Sequence, residues 1–122
     1  MARKVSGADA ALVRLRKLCL AYPETSETDS FGHPNFRAGK RTFATFERIG
    51  GRPTLAIRLG AETEAFLMQH RGAFASPYGR GQWVSLPADE AIDWTLVEQL
   101  LESAYRGVAL RRMLTALDAT SR

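Results

Sequence analysis

At 122 residues, 45% hydrophobic and 25% charged, the chain fits one domain (residues 1–122, core about 9–117) and is too rich in core-forming side chains for disorder. No apolar run approaches the roughly 20 residues that cross a bilayer, and no apolar stretch follows the basic start at Arg3 and Lys4 as an export signal requires. A lone Cys19 cannot close an internal disulfide, so a cytoplasmic, non-membrane protein with a net charge of +4 is expected.

The first helix opens near Asp9, read as its N-cap, and carries Ala11, Leu12, Leu15, Leu18, Cys19 and Tyr22 at helical spacing until Pro23 ends it. Arg14, Arg16 and Lys17 fall off that stripe, and Val13 and Leu20 lie on its wetter side. Glu24 to Phe31 reads as a polar, edge-like strand, and Gly32-His33-Pro34-Asn35 as a turn. Phe36 and Arg37 continue extended to a hairpin turn at Gly39-Lys40. Arg41 to Arg48 is the next strand, and Ile49 to Pro53 the next turn. In Thr54 to Leu59 the alternation places Leu55, Ile57 and Leu59 inward and Ala56 and Arg58 outward. Tight turns between successive strands imply an antiparallel meander.

Ala61 to His70 reads as a short helix. Phe74 to Tyr78 and Gln82 to Leu86 read as two strands around Gly79-Arg80-Gly81. Asp93 caps a long last helix with Val97, Leu100, Leu101, Ala104 and Val108 on one face; Gly107 is a point where it can bend, and Met113, Leu114 and Leu117 continue it. The order is α-β(3)-α-β(2)-α, an α+β two-layer sandwich with a mainly antiparallel sheet and helices on one face.

Several segments resemble the MmcQ/YjbR family of small bacterial proteins, a domain of unknown function. They are the exit Leu20-Ala21-Tyr22-Pro23-Glu24-Thr25, the hairpin Phe36-Arg37-Ala38-Gly39-Lys40-Arg41-Thr42-Phe43 and the strand Leu55-Ala56-Ile57-Arg58-Leu59. Pro77 to Leu86, leading into Trp83-Val84, and Glu102-Ser103-Ala104-Tyr105-Arg106 complete the set, which spans about Leu12 to Leu117. The resemblance implies the same fold formula, related to secretion-chaperone-like domains. It also implies hairpins likened to a double wing, and through them DNA binding. It brings no catalytic residues, and it places a helix breaker, in many relatives, where this chain has Leu110.

The chemistry-bearing residues do not assemble into a reaction centre. His33 lies in a turn, His70 at a helix end and Cys19 on an apolar stripe, and no Cys/His spacing suits zinc. Gly39-Lys40 is not a P-loop, because Pro34 stands at the first glycine, Arg41 replaces the hydroxyl residue and a strand follows. Gly79-Arg80-Gly81 lacks the third glycine of a dinucleotide fingerprint, Val84 standing there instead. Of the aromatics, Phe31, Phe36, Phe43 and Phe46 are interleaved with cations, but strand alternation sends most of them to the core. Trp83 and Trp94 read as packing residues.

The charge distribution gives the functional expectation. Arg37, Lys40, Arg41, Arg48, Arg52 and Arg58 lie between Gly32 and Leu59 against Glu47 alone, whereas the stretch from Asp89 to Glu102 is acidic. A non-enzymatic binding domain is expected, without cofactor or metal. DNA or another polyanion is its partner, held non-specifically and salt-dependently by these six residues on hairpin wings around Lys40 and Arg52. The alternative is a chaperone-like adaptor that holds a protein partner or its own copy through Val13, Leu20 and Trp83. A small-pocket enzyme near His33 and Tyr78 ranks last.

Overall fold

Turn-forming residues cut the middle of the chain into extended segments that pair in order. The computed structural model describes residues 7–77 and 79–120, so the reading of the N-terminal residues as no export signal and any role of Tyr78 lie outside the described residues. Strands β1 (Thr25–Ser30), β2 (His33–Ala38), β3 (Arg41–Ile49) and β4 (Arg52–Arg58) are followed by β5 (Phe74–Ala75) and β6 (Trp83–Pro87). The sheet order is β1-β2-β3-β4-β6-β5, and every pair is antiparallel. Helix α1 (Gly7–Leu20) precedes the sheet, a short 3-10 turn and α2 (Thr63–Gln69) interrupt it, and α3 (Trp94–Val108) and α4 (Arg111–Thr120) follow.

The α+β sandwich is as expected, with differences in its parts. Four strands rather than three precede α2, because the first hairpin turns at Phe31-Gly32 and not across Gly32 to Asn35. Ser30 pairs with His33, and both turn residues have positive φ (52° and 79°), the combination that a two-residue hairpin loop selects. His33, Pro34 and Asn35 are therefore strand residues. Pro34 lies beyond the stretch of β2 paired with β3, where its missing N–H costs no bond in that ladder. Strand β5 is only two residues long. Asp9 sits inside the first turn of α1 instead of capping it, a position where a carboxylate still favours the helix dipole. Asp93 does cap α3, its Oδ1 accepting from the Leu96 N–H at 3.2 Å. That helix stops one residue past Gly107, and Ala109 is extended, so the single long last helix is two.

Alternation gives the sheet two faces. Phe36, Ala44, Ile57 and Val84 form one row of the inner face, with Phe46, Leu55 and Leu86 in the next. They pack under Ala11, Leu15 and Cys19 of α1 and Val97, Leu101 and Tyr105 of α3. Between Phe36 and Arg37 the register slips: Phe36 pairs with Ala44 and Arg37 with Thr42, leaving Phe43 as an extra residue in β3. This bulge sends both Phe43 and Ala44 into the core, each fully buried. Phe43 meets Tyr105 and Tyr22 edge-on at 5.8 and 6.3 Å, the two tyrosines stack at 4.6 Å, and the Tyr105 hydroxyl donates to the Pro23 carbonyl at 2.7 Å. Arg16 adds a bidentate pair with Glu27 that ties α1 to the edge strand. Phe36 and Phe43 are buried and Phe46 packs against the core, whereas Phe31 is 98% exposed at its turn.

Replacing Tyr105 by Phe keeps the ring packing and removes one buried hydrogen bond, so it lowers the unfolding free energy by about 1 kcal/mol. Phe43→Ala empties the middle of the aromatic cluster and costs about 3–5 kcal/mol. Urea midpoints by circular dichroism read both, and the expected order is Phe43→Ala well below Tyr105→Phe.

Candidate binding groove and basic end of the sheet

Consecutive hairpin turns lie at opposite ends of the strand they share. The nine residues of β3 separate the Gly39-Lys40 turn from the Gly50-Gly51 turn by about 27 Å at the usual rise per residue. The structure therefore divides the six central cations. Arg37, Lys40 and Arg41 stand together at the first end, all exposed and with no ion pair among the described residues. Arg58 ends β4 on that side, but its guanidinium donates to Gln82 Oε1 at 3.0 Å and lies close to Gly60 and Gly107. At the far end, Arg48 closes the turn through the Gly51 carbonyl. Arg52 forms a bidentate pair with Asp89 (3.1 and 3.0 Å) and reaches Glu90 at 3.0 Å. Those bonds hold the Asp89 carboxyl below its usual range.

Helix α4 adds cations that the sequence reading passed over. Met113 packs beside Gly39, which brings the start of α4, with Arg111 and Arg112, to the first end. Arg112 is held by Glu24 at 2.9 and 2.8 Å, while exposed Arg111 makes no ion pair among the described residues.

The outer face of the sheet carries a groove of about 260 Å³, lined by Asn35, Thr42, Thr45, Glu47, Ala56, Ser76, Gly79 and Trp83. None of these residues belongs to a helix. The bulge puts Thr42 opposite Arg37 and so sets one end of the groove beside the unpaired cations. Glu47, at the other end, makes no hydrogen bond or ion pair through its carboxylate among the described residues; partial burial raises its pKa, and nearby His33 opposes that rise. Asn35 commits its amide N–H to the His33 carbonyl, which leaves its own carbonyl oxygen as an acceptor. Trp83 forms a wall packed so close to Gly79 that a Cβ at position 79 would stand 2.5 Å from the indole. Beyond Ala56 in the same cross-strand row, fully buried Ser85 keeps a hydroxyl with no hydrogen-bond partner among the described residues.

Sequence reasoning found the basic hairpin residues but missed this groove. Its side chains come from three strands and a loop, and only their register brings them together. The available signal was the unopposed Glu47 in an otherwise basic stretch. Among the other expected features, Cys19 is fully buried and desolvation pushes its thiol well above the usual range. His70 stacks on Phe66 at 4.2 Å. A larger, mostly apolar groove of about 340 Å³ runs between the end of α2 and the start of α3; its two carboxylates serve the fold, Asp93 as a cap and Glu90 as a partner of Arg52. Among the described residues no cluster of His, Cys, Asp and Glu suits a metal, and no helix is long and apolar enough to cross a membrane.

The YjbR family profile matches residues 20–107. Among solved structures, the chain is similar to Deinococcus radiodurans protein DR2400, which carries the DUF419 domain. The TM-score is 0.68 at 20% identity, covering 88% of this chain and 87% of that one. It is also similar to a DUF1801-family protein, YdhG, from Bacillus subtilis, with a TM-score of 0.54 at 18% identity over 77% and 73% of the two chains. No curated protein matches it. At these identities the likeness is one of fold.

A carboxylate whose pKa rises on folding favours the neutral form in the folded state. Its contribution to stability is full below the ordinary carboxylate range and is lost as pH climbs through the raised value. Glu47→Gln therefore raises Tm at pH 7, and the gain shrinks to nothing below about pH 4. Thermal melts across that range check it.

Proposed function

The chain belongs to the YjbR family, and from that premise we propose that it is a non-enzymatic, cytoplasmic nucleic-acid-binding domain that holds phosphates at one end of its sheet. The observation that carries this reading is the group Arg37, Lys40 and Arg41, exposed around a single hairpin turn and without an ion pair among the described residues. Several other arginines are committed: Arg52 to Asp89 and Glu90, Arg112 to Glu24, and Arg106 to Glu102 and Asp118. Exposed Lys17, Arg71 and Arg80 also make no ion pair among the described residues but are not grouped around one hairpin turn. Cations without internal partners are the ones that release counterions from a phosphate backbone on binding. The working surface is thus one end of the sheet. The Arg48 and Arg52 turn is not part of it, so the six expected contacts reduce to three, with Arg58 and Arg111 beside them.

A protein-binding adaptor remains the second reading. It draws on Val13 and Leu20, 59% and 41% exposed and seven residues apart on the outer side of α1. Two side chains are a small patch, within what monomers carry without a partner.

Fluorescence anisotropy of a labelled single-stranded oligonucleotide, from 25 to 200 mM salt, tests the primary reading. We expect weak binding whose logarithmic salt slope loses about two units when Arg37, Lys40 and Arg41 are all changed to Gln. Arg48→Gln/Arg52→Gln should leave the slope near its original value. No binding at the lowest salt, or a slope that ignores the first triple change, contradicts the reading.

A further inference from the structure

The fold leaves several polar side chains of the outer groove uncommitted. In the outer groove the Glu47 carboxylate, the Thr42 and Thr45 hydroxyls and the Trp83 indole N–H make no hydrogen bonds among the described residues. We propose that this groove is a base pocket taking one unstacked nucleobase with adjoining ring N–H and amino donors, the edge guanine presents, stacked on Trp83 and read by Glu47. The proposal deepens the nucleic-acid reading and rests on it only for the phosphate contact.

The donor and acceptor inventory selects the base. An ionised carboxylate only accepts, and its two oxygens match two parallel N–H groups on one edge. Guanine offers such a pair. Adenine and cytosine offer an amino group beside a ring-nitrogen lone pair, and uracil a single N–H between two carbonyls, so each sets a lone pair against an oxygen of Glu47. The indole packs against Gly79, where any added Cβ would collide with it. An aromatic wall is the usual stacking platform for single-stranded bases. At about 260 Å³ the space falls just below the usual range of small-molecule sites, suiting one heterocycle. Arg37, which shares the outer face with its ladder partner Thr42, stands at the groove's basic end, where a phosphate attached through the sugar would lie.

Guanosine, which has no phosphate, tests the pocket alone. In a Trp94→Phe background Trp83 is the sole tryptophan reporter, and calorimetry on the unmodified chain gives the same measurement if that substitution disturbs the fold. Guanosine should quench Trp83 saturably, with adenosine, cytidine and uridine at least tenfold weaker. Glu47→Gln should weaken guanosine at least tenfold with circular dichroism unchanged. Guanosine binding should survive the Arg37/Lys40/Arg41 charge removal that flattens the oligonucleotide salt slope. A guanine-containing strand that outbinds guanosine monophosphate assigns the pocket to nucleic acid, and equal binding assigns it to a free nucleotide; either is consistent with the proposed chemistry. The proposal is overturned if no nucleoside gives a saturable response, if all four bind alike, or if Glu47→Gln has no effect. Oligonucleotide binding with its full salt slope and no guanosine response would remove the pocket and leave the phosphate reading in place.

Discussion

One extra residue in β3 decides what each face of the sheet presents. With simple alternation Phe43 would stand opposite Arg37 on the outer face, and the aromatic contact with Tyr22 and Tyr105 would be lost. The bulge turns Phe43 inward beside Ala44 and places Thr42 opposite Arg37 instead. The same adjustment thus closes the core under α1 and α3 and leaves the outer face polar next to the hairpin turn. Bulges commonly re-aim side chains in this way beside functional sites. Because the Tyr105 hydroxyl also fixes the chain after α1 through the Pro23 carbonyl, the core contact and the entry into the sheet are one structural unit.

Charge placement follows a similar division. Where the fold needs a tie it uses a bidentate arginine: Arg16 with Glu27 between α1 and β1, Arg112 with Glu24 between α4 and the start of the sheet, and Arg52 with Asp89 across the β6–α3 connection. Each exposed tie is worth little by itself. The Arg52 tie lowers the positive charge at one end of the sheet, while Arg37, Lys40 and Arg41 leave the other openly positive. The groove runs between these zones, from Arg37 towards Glu47, and joins a cationic mouth to an acidic floor.

Much of the architecture was legible in the sequence because the elements are periodic and the punctuation is strong. The α1 stripe, the Leu55/Ile57 alternation, the Asp93 cap and the Gly39-Lys40 turn all read directly. The first hairpin did not, because Gly32 to Asn35 is rich in turn formers while the turn is made by Phe31, an aromatic residue at positive φ that propensity never favours. The bulge had no local signal either, since it exists only as a mismatch between two strands. For that reason the basic residues could be counted but not sorted. Sequence adjacency grouped Arg48 and Arg52 with Lys40, whereas antiparallel pairing places those turns at opposite ends of β3. The groove was hidden for the same reason, as Asn35, Thr45, Ala56 and Trp83 become neighbours only through register.

Backbone amide and indole NMR shifts, followed while a short guanine-containing single strand is added at low salt, test the central claim most directly. The account predicts changes confined to Arg37 through Glu47 and the Trp83 indole, with Arg48, Arg52 and α1 unmoved. Shifts centred on Val13 and Leu20, or on the Gly50-Gly51 turn, would contradict it.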